Sequence, residues 1–221
     1  MEIKMDIISE LNGKRILIWG YGREGKATEH FLQRCVKPAS VDIFEGKKEE
    51  IDEDDYDFII KSPGIVMNEE NPKYTSETEL FLQQFRDQVI GITGTKGKST
   101  TSAMLYTVLK ACSGRPVLLL GNIGQPCLDY FEEVTEDTII VYEMSCHQLA
   151  HTNVSPHIAI FLNLYEEHLD YYGTVEKYFE AKSHIAAYQK SGDYLWEKMY
   201  RRSIQRHKGQ CFISPKVCIM N

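Results

Sequence analysis

Twice in this chain a short apolar segment of strand length runs into a glycine-bearing turn and then into a helical stretch, and this order constrains the fold more than any other feature. The first instance is Arg15 to Gly20 (RILIWG), with Gly20, Gly22 and Gly25 in G-x-G-x-x-G spacing, followed by Lys26 to Cys35. The second is 88–93 (QVIGIT), then Thr93-Gly94-Thr95-Lys96-Gly97-Lys98-Ser99-Thr100, with a helix predicted over 98–111. Strands alternating with helices predict an α/β fold with parallel, doubly wound sheets. Further strands are expected at Val41 to Glu45, Asp57 to Lys61, 116–120, 138–144 and 157–163, and helices at Glu77 to Phe85 and about Thr174 to Tyr188. A boundary near Asp87 gives a Rossmann-like amino-terminal domain (1–87) and a partial P-loop-like parallel-sheet domain (88–194), with residues 195–221 set apart.

Composition narrows the classes of function. The 221 residues are 43% hydrophobic and 26% charged, which supports packed cores and excludes wholesale disorder. The longest apolar runs, such as Thr138 to Tyr142 and Ile158 to Leu162, are far shorter than the roughly 20 residues of a spanning helix, so no membrane insertion is expected. Acidic residues inside the first ten positions do not suit a secretory signal, and a cytoplasmic address follows as the expectation. A net charge of −7 argues against a nucleic-acid partner. From Leu195 onward, however, six Lys/Arg face one acid, a different composition from the body. The six cysteines form no C-x-x-C pair and read as reduced thiols.

The two glycine loops differ in what they specify. The first serves either as a bare strand-to-helix turn or as a diphosphate cradle, in which Gly22, Arg23, Glu24 and Gly25 meet the ligand at a helix N-terminus. Glu45, ending the next strand, is suited to a ribose, but a nicotinamide enzyme would have no use for a second loop. That second loop is more specific. The common P-loop has a glycine where this chain has Ile92, yet its working end, G-K-S, is intact. Backbone N–H groups over 94–99 can hold phosphate oxygens, Lys98 can neutralise the outer phosphates of ATP, and the hydroxyl of Ser99 or Thr100 can ligate Mg²⁺.

These residues resemble the Mur ligase family, whose ATP loop is T-G-T-N/K-G-K-S/T. The likeness continues in order: Gly121-Asn122-Ile123-Gly124 is similar to G-N-I-G, Glu143 to Leu149 (EMSCHQL) to E-L-S-S-F-Q-L, and Asn163 to Asp170 (NLYEEHLD) to N-x-x-x-D-H-x-D. Upstream, Gly20 to Gly25, Ser62-Pro63-Gly64 and Glu79-Leu80-Phe81 resemble the amino-terminal domain of the branch that takes UDP-N-acetylmuramoyl-L-alanine and D-glutamate. The resemblance spans about residues 13–194.

It implies a two-step ligation in peptidoglycan precursor synthesis. The substrate carboxylate attacks the γ-phosphorus of ATP, and D-glutamate's amine then displaces phosphate from the acyl phosphate. The UDP end would meet Gly22, Arg23, Glu24, Gly25, Glu45 and Ser62 to Gly64. The ATP loop would use Gly94, Thr95, Lys96, Gly97, Lys98, Ser99 and Thr100. Asn122, Ser145, Gln148 and His168 would line the muramoyl-alanyl end, and Ser99, Glu143, His168 and Lys182 would form the magnesium sphere, the lysine as a carbamate.

Residue chemistry speaks to some of these separately. Glu143 ends an apolar strand, where ligands gather in parallel sheets. His168 by type alone reads as a surface or core histidine, and Glu166 and Asp170 read equally as a solvated acidic loop. Lys182 falls on the apolar stripe of Val175, Tyr178, Phe179, Ile185 and Ala186, so it is expected to point inward, where burial lowers its pKa. Because the family carries a third domain, the 221-residue chain is expected to be inactive alone. The other readings are a non-catalytic module that holds a UDP-sugar or ATP, and a ligase of the same family for another amino acid.

Overall fold

The computed structural model describes residues 6–65 and 71–197. Within them the chain forms two units. One runs up to Gln84 and includes Gln125–Thr135; the other is Phe85–Gly124 with the chain from Glu136 onward.

The amino-terminal unit begins with α1 (Ile7–Leu11), whose N-cap carboxylate, Asp6, accepts from the Ile8 N–H at 3.2 Å. Its sheet comprises β1 (Arg15–Trp19), β2 (Ser40–Phe44), β3 (Phe58–Lys61) and β4 (Tyr74–Thr75), all parallel, in the order β2-β1-β3-β4. Strand β1 is apolar from Ile16 to Trp19 and buried throughout that run, as a central parallel strand must be. Helix α2 (Arg23–Cys35) buries Ala27, Phe31 and Leu32, and α3 (Glu77–Phe85) supplies Leu80, Phe81 and Leu82 to the interior. A turn of 3₁₀ helix at Leu128–Glu133 completes the unit: Phe131 meets Phe31 with ring centroids 4.7 Å apart.

The second unit is also a parallel sheet, ordered β6-β7-β5-β8-β9, from β5 (Val89–Thr93), β6 (Val117–Gly121), β7 (Ile139–Glu143), β8 (Ile158–Phe161) and β9 (Tyr194–Glu197). Its helices are α4 (Lys98–Cys112), α5 (Cys146–Leu149), α6 (Leu169–Tyr172) and α7 (Val175–Ala187). The expected strands and helices are present, with ends exact or shifted by up to three residues. The strands and α-helices without a sequence expectation are α1, the two-residue β4, the short helices α5 and α6, and β9, which extends the sheet past Asp193. Among the described residues no helix is long and apolar enough to cross a membrane.

Gly25 illustrates how tightly the first turn is built. A Cβ there would lie 2.2 Å from the Gly20 carbonyl oxygen, a backbone atom that cannot swing away, whereas at Gly22 it would meet nothing within 4 Å. Gly25→Ala is expected to destabilise the chain by roughly 3 kcal/mol, and Gly22→Ala by about 1 kcal/mol or less. Urea unfolding of the two variants measures the difference, and equal midpoints would show that the turn relaxes freely.

Candidate functional site

In each sheet the chain leaves the first strand to one side and later returns to the other, so a crevice opens beyond the carboxyl ends of the strands at that reversal, where α/β proteins take ligands. In the second unit the reversal is at β5, flanked by β7 and β8. The loop 94–97 follows β5 directly. Gly97 caps α4 in a left-handed conformation, φ 85°, which a side chain would strain. The first N–H groups of α4 have no intrahelical acceptor and face the loop's concavity with the positive end of the helix dipole. Ser99 and Thr100, in that first turn, are solvent-exposed.

The loop is held by its neighbours. Thr95 N–H donates to the Asn163 carbonyl at 3.0 Å, and the Lys96 N–H to Asn163 Oδ1 at 2.9 Å, while Asn163 Nδ2 returns a bond to the Lys96 carbonyl at 2.9 Å. Lys98 Nζ donates to the carbonyls of Gly94 (2.8 Å) and Thr95 (3.1 Å), so it curls over the loop it would serve. Lys96 pairs with Glu167, which holds that carboxyl below its usual range.

Glu143 ends β7 in register with Ile92, and it is fully buried. Its Oε1 accepts from Asn122 Nδ2 at 2.8 Å, but Oε2 is buried with no hydrogen-bond partner among the described residues. An orphaned buried carboxylate oxygen is costly, and a hard cation would satisfy it; carboxylate and Ser hydroxyl are ligands of the kind Mg²⁺ takes. The donor chemistry therefore fits magnesium. His168 lies on the loop between β8 and α6, exposed, in a left-handed conformation at φ 57°, which no other non-glycine among the described residues adopts.

Lys182 is 1% exposed, as its place on the α7 stripe predicts. Its Nζ donates to the Gly94 carbonyl at 3.0 Å and sits 4.9 Å from the Tyr178 ring centroid. Burial lowers its pKa to about 8, so the neutral amine is a minor form at pH 7, about a tenth. Ser145 and Gln148 are brought to the same end of the sheet, but as a capping box: Ser145 Oγ accepts from Gln148 N–H at 3.2 Å and Gln148 Oε1 from Ser145 N–H at 2.9 Å. Part of their polar capacity is thus committed to α5.

In the amino-terminal unit the reversal is at β1. Gly20 N–H donates to the Phe44 carbonyl at 2.8 Å and Ser62 N–H to the Trp19 carbonyl at 2.8 Å, which brings Ser62-Pro63-Gly64 beside the glycine loop, with Ser62 Oγ on the Gly20 carbonyl at 2.9 Å. Gly22 and Arg23 are exposed at the start of α2, Glu24 is half-buried, and Glu45 is exposed beyond β2. Glu24, Gly25, Lys61, Ser62 and Glu77 line a small recess. Burial lowers the Lys61 pKa to about 8 and raises that of Glu77, whose Oε1 accepts from the Leu128 N–H at 2.9 Å. Sequence reasoning missed Lys61 and Glu77; a strand ending in lysine and a helix beginning with glutamate are ordinary surface signals.

A sequence profile described as the Mur ligase middle domain matches residues 92–206, more than half of the chain. The chain belongs to the Mur ligase family. Among its curated relatives is a UDP-N-acetylmuramoylalanine--D-glutamate ligase of Clostridium kluyveri, 37% identical over 172 residues, which cover 74% of this chain and 37% of that protein. The enzyme of the same name from Streptococcus pyogenes serotype M49 is 33% identical over 222 residues, covering 86% of this chain and 49% of that one. The chain thus spans about half, or less, of the length of these relatives. A solved structure of MurF ligase from Thermotoga maritima in complex with ADP aligns with a TM-score of 0.47 at 19% identity, over 89% of this chain and 45% of that one. The profile match begins at Ile92, within β5, and takes in the whole second phosphate-type loop of this Mur ligase chain, Glu143, His168, Lys182 and the unexpected strand β9.

Proposed function

We propose that this chain provides the nucleotide and precursor sites of an ATP-dependent, ADP-forming ligase that joins D-glutamate to UDP-N-acetylmuramoyl-L-alanine. The observation that carries the reading is the unpartnered Oε2 of Glu143, buried one strand from a glycine loop at the reversal of the sheet. The relatives' names supply the substrates. In this reading the N–H groups of 94–99 bind the phosphates of ATP, Lys98 moves from the loop carbonyls to the outer phosphates, and Glu143, Ser99, His168 and carbamylated Lys182 hold Mg²⁺. The metal would offset negative charge as the carboxylate of the precursor attacks the γ-phosphorus. Asn122, Ser145 and Gln148 would fix the alanyl end. Gly22 to Gly25 would face the diphosphate of the UDP-sugar, with Ser62 to Gly64 as the adjoining wall and Glu45 near the ribose.

The 221 residues alone are proposed to bind without ligating. The amine must be fixed within about 3 to 3.5 Å of the acyl carbon, an orientation worth roughly 7 to 11 kcal/mol, and neither described unit has a site assigned to it.

Amide NMR on the whole 221-residue chain tests the proposal. MgATP is expected to shift the amides of 94–99, and UDP-N-acetylmuramoyl-L-alanine those of 20–25, Ser62 and Gly64. If the UDP-sugar moves only amides of the second unit, or none, the amino-terminal assignment is wrong; silence of 94–99 toward MgATP would remove the nucleotide site.

A further inference from the structure

We propose that Cys146, His147 and His168 form a site for a thiophilic divalent cation of the Zn²⁺ class. One ligand atom from each of the three lies within 4.8 Å of the others. Cys146 and His147 are also the residues at which EMSCHQL departs from E-L-S-S-F-Q-L, replacing a hydroxyl and a phenyl ring with two metal-binding groups.

The local structure explains how they meet. Ser145 caps α5, so Cys146 and His147 open that helix, and the left-handed turn at His168 starts α6 beside it. The His147 and His168 rings stand 5.4 Å apart, centroid to centroid, and His147 is flanked by the rings of Tyr171 and Tyr172 at 4.3 and 5.7 Å. Cys146 is 3% exposed, whereas the His168 side chain is 44% exposed, which leaves the cluster open to solvent from the histidine side.

A thiolate with two imidazoles suits Zn²⁺, which takes four ligands with Zn–S about 2.3 Å and Zn–N about 2.0 to 2.1 Å. Hard Mg²⁺ prefers oxygen and has no use for the sulfur. On binding, the Cys146 S–H bond breaks, the proton goes to solvent, and the sulfur electron pair forms the bond to zinc; neutral imidazoles donate a pair each. Water completes the set. Such an ion would occupy His168, so it and any role of that histidine toward magnesium exclude each other.

The test uses Co²⁺ and Zn²⁺ on the full chain with Cys35, Cys112, Cys211 and Cys218 replaced by serine, which leaves the buried Cys127 as the one thiol outside the cluster. One Co²⁺ per chain is expected, with thiolate-to-cobalt charge-transfer absorption in the near ultraviolet. Cys146→Ser should abolish that band, and Cys146→Ser and His147→Phe should each weaken Zn²⁺ binding, measured against a chelator, by about tenfold or more. His147→Phe keeps the thiol and introduces an apolar ring among tyrosines, so it reads the site even if Cys146→Ser disturbs α5; circular dichroism reports the fold of both. A cobalt spectrum without the sulfur band, or Zn²⁺ affinity unchanged in a folded His147→Phe chain, would overturn the proposal. Neither readout depends on ligase activity or on ATP binding.

Discussion

Lys182→Met is expected to stabilise the chain at pH 7 by about 2 kcal/mol while erasing any carbamate signal from ¹³CO₂-labelled protein. The lysine is 1% exposed and its pKa falls from 10.5 to about 8, chiefly through burial. Keeping it charged at neutral pH therefore costs about 3 kcal/mol, at 1.36 kcal/mol per pKa unit. Methionine removes that cost and fills a similar volume. The loss of a hydrogen bond, about 1 kcal/mol, is limited because the Gly94 carbonyl that Lys182 contacts also accepts from Lys98 at 2.8 Å.

The pH dependence follows from the direction of the shift. Between pH about 8 and 10.5 the unfolded chain holds a proton on this lysine that the folded chain has released, so stability from this group rises with pH across that window. The difference between wild type and variant should therefore shrink as pH rises from 8 toward 10. Thermal unfolding over that range measures it. A variant less stable than wild type at pH 7 would show that the ammonium is compensated by interactions stronger than its cost. Lys61 is a parallel case: burial lowers its pKa likewise to about 8, and Glu24 and Glu79 act on it as Glu167 and Glu143 act on Lys182.

The second large effect is on nucleotide affinity. Lys98→Ala is expected to weaken MgATP binding roughly ten- to a hundredfold, the equivalent of about 1.5 to 3 kcal/mol for a charged hydrogen bond. The lysine does two things in this geometry. It brings a positive charge to the N–H cradle, and its bonds to the Gly94 and Thr95 carbonyls hold the side chain over the loop before any ligand arrives. Isothermal titration on wild type and variant decides the matter; equal affinities would mean that the loop does not hold the triphosphate.

Much of this site was readable because its determinants are local. A strand, a loop of fixed glycines and a helix lie within 88–111, and the capping geometry of Gly97 follows from the residue type that the turn needs. The inward face of α7 was equally legible, since 3.6-residue periodicity carries Lys182 onto the stripe of Tyr178 and Ile185, both buried. What was hidden depends on partners far along the chain. Strand β9 is four residues of alternating exposure, and its approach is secured by Asp193, which pairs with Arg86 and lies 2.8 Å from His157 Nδ1. Desolvation alone would raise the Asp193 pKa, but the hydrogen bonds from His157, Lys190 and Arg86 bring it below the usual carboxylate range. The meeting of His147 with His168 likewise joins positions 21 apart, which no spacing rule connects. Lys61 and Glu77 escaped notice for the same reason: their burial comes from the packing of separate elements.

The assignment of Gln125–Thr135 to the amino-terminal unit bears on how the protein is made. A ribosome delivers residues in order, and domains ordinarily fold as units soon after they emerge. Here the first unit has β1 to β4 and α3 by Phe85, but not the Phe131 ring that packs on Phe31 nor the Leu128 N–H that meets buried Glu77. Those arrive only after β5, α4 and β6 of the second unit have been synthesised. The nascent amino-terminal unit must therefore wait, with the apolar face of α2 and a buried acid both unfinished, while about a third of its neighbour is translated.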